Sequence, residues 1–219
     1  GPGNQYVTAA KMYANRMGLA IDMPAGPSEV AVFADETAYP AFIASDLLSQ
    51  AEHGHDSQVV LISTSEQILN ESIHEIKKQL AELPRKEFAA SALNNSQFIL
   101  LKSNEEAIDL LNEYGAEHLI LACENPENFA DSISNAGSIF LGHFTPESAG
   151  DYASGTNHTL PTNGFAKAYS GVNLDSFVKK ITLQAISQAG LANIGPSIIQ
   201  MAEAESLQAH ANAVKIRLS

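Results

Sequence analysis

The sequence is short of basic residues, of cysteine and of long apolar runs, and each shortage removes a class of protein. Its 12 Lys and Arg stand against 25 Asp and Glu, a formal net charge of −13. Such a field repels phosphate backbones, so no nucleic acid is expected as a partner. Otherwise the charge reads as a soluble, cytoplasmic surface. Cys123 is the only cysteine, so no disulfide can form within the chain, and a reducing cytoplasm fits. It closes the apolar run from Leu119 and reads as core rather than nucleophile. No apolar stretch approaches the ~20 residues of a membrane span, so no membrane is expected either. The chain opens at Gly1 without methionine, inside what reads as a turn from Gly1 to Asn4. A fragment or processed product is the expectation, with any targeting signal outside it.

What is present is an ordinary globular composition, 45% apolar over 219 residues, enough for one large domain or two modest ones. Short apolar runs at Glu29–Ala34, Gln58–Ile62, Gln97–Leu101, His118–Cys123 and Ser138–Leu141 predict strands. Helical patterns at 6–15, 39–53, 66–80, 104–113 and 127–134 fall before and between them. That alternation predicts an α/β fold, a Rossmann-like, mostly parallel sheet with helices on both faces. From Glu147 to Gly171 the chain is rich in Gly, Ser, Thr and Asn without a period, and a functional loop is expected. Beyond it, helices are predicted over 176–188 and from Pro196 to about Arg217, a helical C-terminal extension. A Rossmann-like layer normally begins with a strand and a glycine turn, yet Gly1 to Asn4 has no strand ahead of it.

Several polar constellations can carry chemistry. Gln50 and His53, three apart at a helix end, share a face and can offer an amide oxygen and an imidazole nitrogen to one cation. A plain polar helix end before Gly54 explains them too. Glu117 and His118 set a carboxylate beside an imidazole, a pair able to divide acid and base work; a surface pair is the plainer reading. The loop from Pro146 to Thr162 gathers Asp151, suited to a metal, and His158, suited to a substrate, or else is a solvated loop. Glu205 and His210 read as a turn and a half apart on one helix, where a solvated face is the default. Ser28, in the turn Pro24 to Glu29, offers a hydroxyl to a ligand or is a simple turn serine.

Together these segments resemble the histidinol dehydrogenase family. The likeness runs through Ile21–Val30, Ala44–Gly54 with Asp56–Gln58, Glu147–Tyr152, Asn157–His158, Leu160–Thr162, and Glu205, Leu207, His210 and Arg217, in order along the whole chain. It implies a Zn2+ in each subunit held by Gln50, His53 and Asp151, with His210 donated by the partner subunit of a homodimer. The substrate's own nitrogens complete that sphere. Ser28, His158 and Glu205 match substrate contacts, Glu205 also across the dimer, beside Gln50, His53, His118, Asp151 and His210. Glu117 and His118 match the catalytic pair, and Asn4 matches a contact to NAD. The implied reaction takes L-histidinol through L-histidinaldehyde to L-histidine with two NAD, His118 accepting the alcohol proton and Glu117 activating water.

Family chains are about twice as long as this one. The resemblance therefore implies a division into 1–29, a remnant of a second Rossmann-like domain on the cofactor side, 30–172, the domain carrying zinc and catalysis, and 173–219, a helical dimerisation region. It also implies that the chain is inactive alone. Two other readings stand beside this one. One is a zinc hydrolase using Glu117 as base; the other is a non-catalytic dimerisation and metal-binding fragment.

Overall fold

A computed structural model describes residues 4–219, so most of the turn expected at Gly1 to Asn4 lies outside the described residues. The first unit ends at Val178 and the second runs Lys179–Ser219. In the first, α1 (Gln5–Arg16) precedes an alternation of β1 (Glu29–Ala34), α2 (Pro40–Ala51), β2 (Gln58–Ser63), α3 (Glu66–Glu82), α4 (Lys86–Leu93), β3 (Gln97–Leu100), α5 (Asn104–Tyr114), β4 (His118–Ala122), α6 (Pro126–Ala130), β5 (Ser138–Leu141) and α7 (Glu147–Tyr152). The five strands are all parallel, in the order β3-β2-β1-β4-β5. The expected Rossmann-like sheet is therefore present, and wholly parallel.

Strand alternation sorts the core into two layers. Val30, Val32, Leu61 and Ile120 point toward α2, α3 and α4. Ala31, Phe33, Val60, Ile62, Leu119 and Leu121 point toward α5 and α6. Because both faces are covered, the central strands are apolar at nearly every position. Burial of each large side chain contributes about 1.5–3 kcal/mol. The Cys123 thiol is buried in the second layer, and burial pushes its pKa up to about 11. Among the described residues no helix is long and apolar enough to cross a membrane.

Local signals set where each element stops. Ser65 and Ser103 cap α3 and α5, their hydroxyls accepting from the N–H groups of Ile68 and Glu106. Gly115, at φ 64°, ends α5 in the left-handed conformation that glycine adopts without cost. The chain thus turns straight into β4, which begins at His118 in register with Val30 of β1 and Ser138 of β5.

Four expectations need correction. The helix predicted over 176–188 is absent: a short 3-10 turn, Leu174–Phe177, gives way to irregular chain through Ser187. There the β-branched Val178, Ile181 and Thr182 disfavour helix, and Ile181 and Leu183 are exposed. The terminal helix begins earlier than expected, at Gln188, where the Ser187 hydroxyl accepts from the Gly190 N–H, and Pro196 lies inside this α8 (Gln188–Ala204). It is also broken, Ser206 at φ 60° separating α8 from α9 (Gln208–Leu218), so Glu205 and His210 do not share one helix. Finally, the stretch after Glu147, read as wholly loop, begins with α7.

Candidate active site

At the amino ends of β1 and β4 lies a cavity of about 260 Å³. Seven of the residues singled out from the sequence line it: Ser28, Gln50, His53, Glu117, His118, Asp151 and His158. They arrive from five places along the chain. Ser28 is the last residue before β1, Gln50 and His53 lie at the end of α2 and just beyond, and Glu117 immediately precedes His118, the first residue of β4. Asp151 sits on α7 and His158 on the following loop. The remaining three are not among its lining residues. Asn4 caps α1, its side-chain oxygen accepting from the N–H groups of Tyr6 and Val7 at 3.0 Å. Glu205 and His210, both exposed, belong to the second unit.

Burial decides against the surface reading of Glu117 and His118, each 4% exposed. Of the other pair, Gln50 has no exposed surface whereas His53 is exposed. Alternation would send Glu117 and His118 to opposite faces of the sheet, but at the very mouth of the strand both reach the cavity. The Glu117 carboxylate accepts from the Glu29 N–H at 2.9 Å. Burial nevertheless pushes its pKa up to about 8, helped by the charges of Glu29 and Asp151.

The two nitrogens of His118 face different surroundings. Nδ1 lies 3.3 Å from the Glu29 carbonyl oxygen, which can only accept, so Nδ1 carries the ring proton. The same edge has the carboxyl oxygens of Glu117 and Glu147 at 3.7 Å each. Nε2 has no hydrogen-bond partner and lies 3.9 Å from Asp151. Burial lowers the His118 pKa, against the opposing pull of Asp151. At neutral pH the ring is thus uncharged, with a bare Nε2: the state a general base requires.

Two carboxyl groups escaped the sequence reading. Glu147 is 1% exposed, and burial, with Asp151, Glu117 and Asp46 around it, pushes its pKa up to about 9. The signal was available: Pro146 before a Glu147–Asp151 pair four apart marks a short helix with both acids on one face. Glu29 starts β1, and its carboxylate accepts from the Asn163 N–H at 2.9 Å and more distantly, at 3.5 Å, from the Tyr114 hydroxyl.

The sequence model of the histidinol dehydrogenase family matches residues 1–218. The chain belongs to that family. It is 61% identical over its whole length to a histidinol dehydrogenase of Bacteroides thetaiotaomicron and covers 51% of that protein. Against the chloroplastic histidinol dehydrogenase of Arabidopsis thaliana it is 55% identical and covers 47%. The crystal structure of histidinol dehydrogenase from Elizabethkingia anophelis superposes with a TM-score of 0.93 at 62% identity, over all of this chain and 50% of that one. The chain spans about half the length of the curated relatives it matches.

The cavity fits a divalent cation. Both amide atoms of Gln50, Nε2 of His118 and Oε2 of Glu147 are buried without a hydrogen-bond partner, a cost of about 1–3 kcal/mol for each such group. No Lys or Arg of the described residues lines the cavity, and burial leaves Glu117 and the neighbouring Glu147 holding protons that a nearby dication would displace. Ligand atoms of His118, Glu147 and Asp151 lie within 4.8 Å of one another. This group shares only Asp151 with the set Gln50, His53, Asp151 and His210. All the donors are nitrogen or oxygen, which suits zinc or a harder ion.

A dinucleotide fits the described residues poorly. The strand order reverses beside β1, so the crevice beyond the carboxyl ends of β1 and β4 is where doubly wound folds hold nucleotides. Here that crevice is lined by Asp35, Glu36 and Glu124. The turns after β1, β2 and β4 contain no glycine to let a backbone approach a pyrophosphate.

Proposed function

We propose that this chain is the carboxyl-terminal half of a zinc- and NAD-dependent histidinol dehydrogenase. The whole enzyme oxidises L-histidinol through L-histidinaldehyde to L-histidine. The observation that carries the reading is the convergence of Ser28, Gln50, His53, Glu117, His118, Asp151 and His158 on one cavity. Gln50, His53 and Asp151 would hold the zinc with His210 from the partner subunit, and His158, Ser28 and Glu205 would hold substrate. When bound, the ion orients the amino alcohol by its nitrogens.

The chain's own residues then handle protons. His118 accepts the alcohol proton on Nε2 in the first oxidation, and again from the hydrated aldehyde in the second. Glu117, ionised beside the cation, takes a proton from the water that attacks the aldehyde. The Glu29 N–H keeps Glu117 aimed. The dinucleotide is proposed to rest mainly on the half of the family chain that lies outside this sequence, with Asn4 on its border. Residues 1–29 are then the edge of the cofactor-side domain, 30–172 the catalytic domain, and 173–219 the dimerisation region.

The test is NADH formation from histidinol, measured with this chain alone and with the chain extended to family length. Turnover is expected only in the second case. Full turnover by this chain alone overturns the division of labour between halves. No turnover by the extended protein with zinc and NAD overturns the function.

A further inference from the structure

Glu147 has no part in the reaction described so far, yet it is among the most deeply buried polar side chains of the first unit. It opens α7, and Asp151 follows one turn later on the same side of that helix. The two carboxyl groups flank one ring: Glu147 Oε1 lies 3.7 Å from His118 Nδ1, and Asp151 Oδ1 lies 3.9 Å from His118 Nε2. Glu147 Oε2, buried and without a hydrogen-bond partner, remains free to accept.

We propose that Glu147 is a positioning residue, which holds His118 in the orientation and tautomer that leave Nε2 bare toward the cavity. The proposal rests on His118 serving as the base of the dehydrogenase. With the cation bound and both carboxyls ionised, only acceptors stand around Nδ1, namely the Glu29 carbonyl at 3.3 Å and the carboxylates of Glu117 and Glu147 at 3.7 Å. A proton is therefore kept on Nδ1. The 3.7 Å separations are longer than hydrogen bonds, as such contacts often are before substrate closes the site. Steadying an imidazole from its far nitrogen is the same physical device by which a buried carboxylate orients the histidine of a serine-protease triad. Replacing the carboxyl by an amide introduces an N–H donor beside Nδ1 and favours the opposite tautomer.

The test uses the family-length enzyme loaded with zinc, as parent, E147Q, E147A and E147D. The expected result is a kcat lowered about 10- to 100-fold in E147Q and E147A, with KM for histidinol and zinc content within about threefold, and partial recovery in E147D. The 15N shifts of the His118 ring supply a readout independent of turnover. The parent is expected to show a protonated Nδ1 and a bare Nε2, and E147Q a mixture. The proposal fails if E147Q and E147A keep kcat within about threefold with unchanged 15N shifts. It fails equally if kcat per bound zinc is unchanged and only zinc content drops, which makes Glu147 a ligand or a packing residue. If the parent does not oxidise histidinol, the functional reading falls while the 15N comparison still decides the role of Glu147. E147Q, nearly isosteric, carries the test should E147A fail to fold.

Discussion

Gly150→Ala probes how closely α7 is held to the sheet. A Cβ built at Gly150 would lie 2.7 and 2.8 Å from two ring carbons of Phe140. Carbon atoms rest at about 3.5–4.0 Å, so roughly 0.8–1.3 Å of displacement is required. Phe140 is buried on β5, and its ring centroid lies 6.0 Å from that of His118, so it has little room to retreat. The displacement therefore falls largely on α7, carrying Asp151 and Glu147 away from His118. Two effects on stability oppose each other. Overpacking costs about 1–3 kcal/mol, while alanine gains up to ~1 kcal/mol over glycine within a helix. The net loss is small, on the order of 0–2 kcal/mol, a few degrees in Tm.

The functional effect is larger. Misplacing a catalytic group by ~1 Å costs on the order of 100-fold. In the family-length enzyme, G150A is thus expected to lose about 100-fold in kcat/KM for histidinol and to release zinc more readily on dialysis, while still melting cooperatively. A kcat/KM within threefold of the parent, with Tm unchanged or raised, would show that Phe140 yields instead and that Gly150 does not set the helix position.

Other outcomes follow from the same site and its surroundings. Gln50→Leu removes a fully buried amide with no hydrogen-bond partner. It is expected to raise the Tm of the metal-free protein, by about 1–3 kcal/mol of stability, while abolishing stabilisation by added zinc; a lower metal-free Tm refutes this. Burial pushes the Asp46 pKa up to about 7 from 3.8, so the folded state binds the proton more tightly than the unfolded. Stability should then fall as pH rises from about 4 to 7, and Asp46→Asn should flatten that slope by on the order of 4 kcal/mol in urea titrations. An identical slope in the variant would count against it. Cys123, with its thiol pushed up to about 11, should resist a thiol reagent at pH 8 in the native protein and react once unfolded.

The sheet was legible because doubly covered parallel strands are apolar at nearly every position. Each of the five runs from Glu29 to Leu141 falls within a residue or two of an observed strand. α4 was not, since its buried contributions are two alanines, Ala89 and Ala92, which carry no strong periodic signal. The second unit misled for a different reason. Its composition is helical, but the break at Ser206 depends on a backbone conformation that serine does not advertise. Within the site, residues in the long family motifs were visible one by one, whereas their meeting was not. Gln50 and Asp151 are 101 positions apart (151 − 50), and only the parallel register brings them to one rim. Glu147 was marked only by Pro146 and its four-residue spacing to Asp151, since α7 has six residues, too few to display a period.

That rim has a consequence for how the molecule can change. In most open α/β proteins the turns leaving the strands hold the ligand, so every insertion there risks the chemistry. Here the cavity lies among the segments entering β1 and β4, and the exits after Ala34, Ser63 and Ala122 are at the opposite ends of the strands. Length variation, affinity tags or grafted loops are best accommodated at those exits. The short entries at Ser28 and Glu117 tolerate almost none.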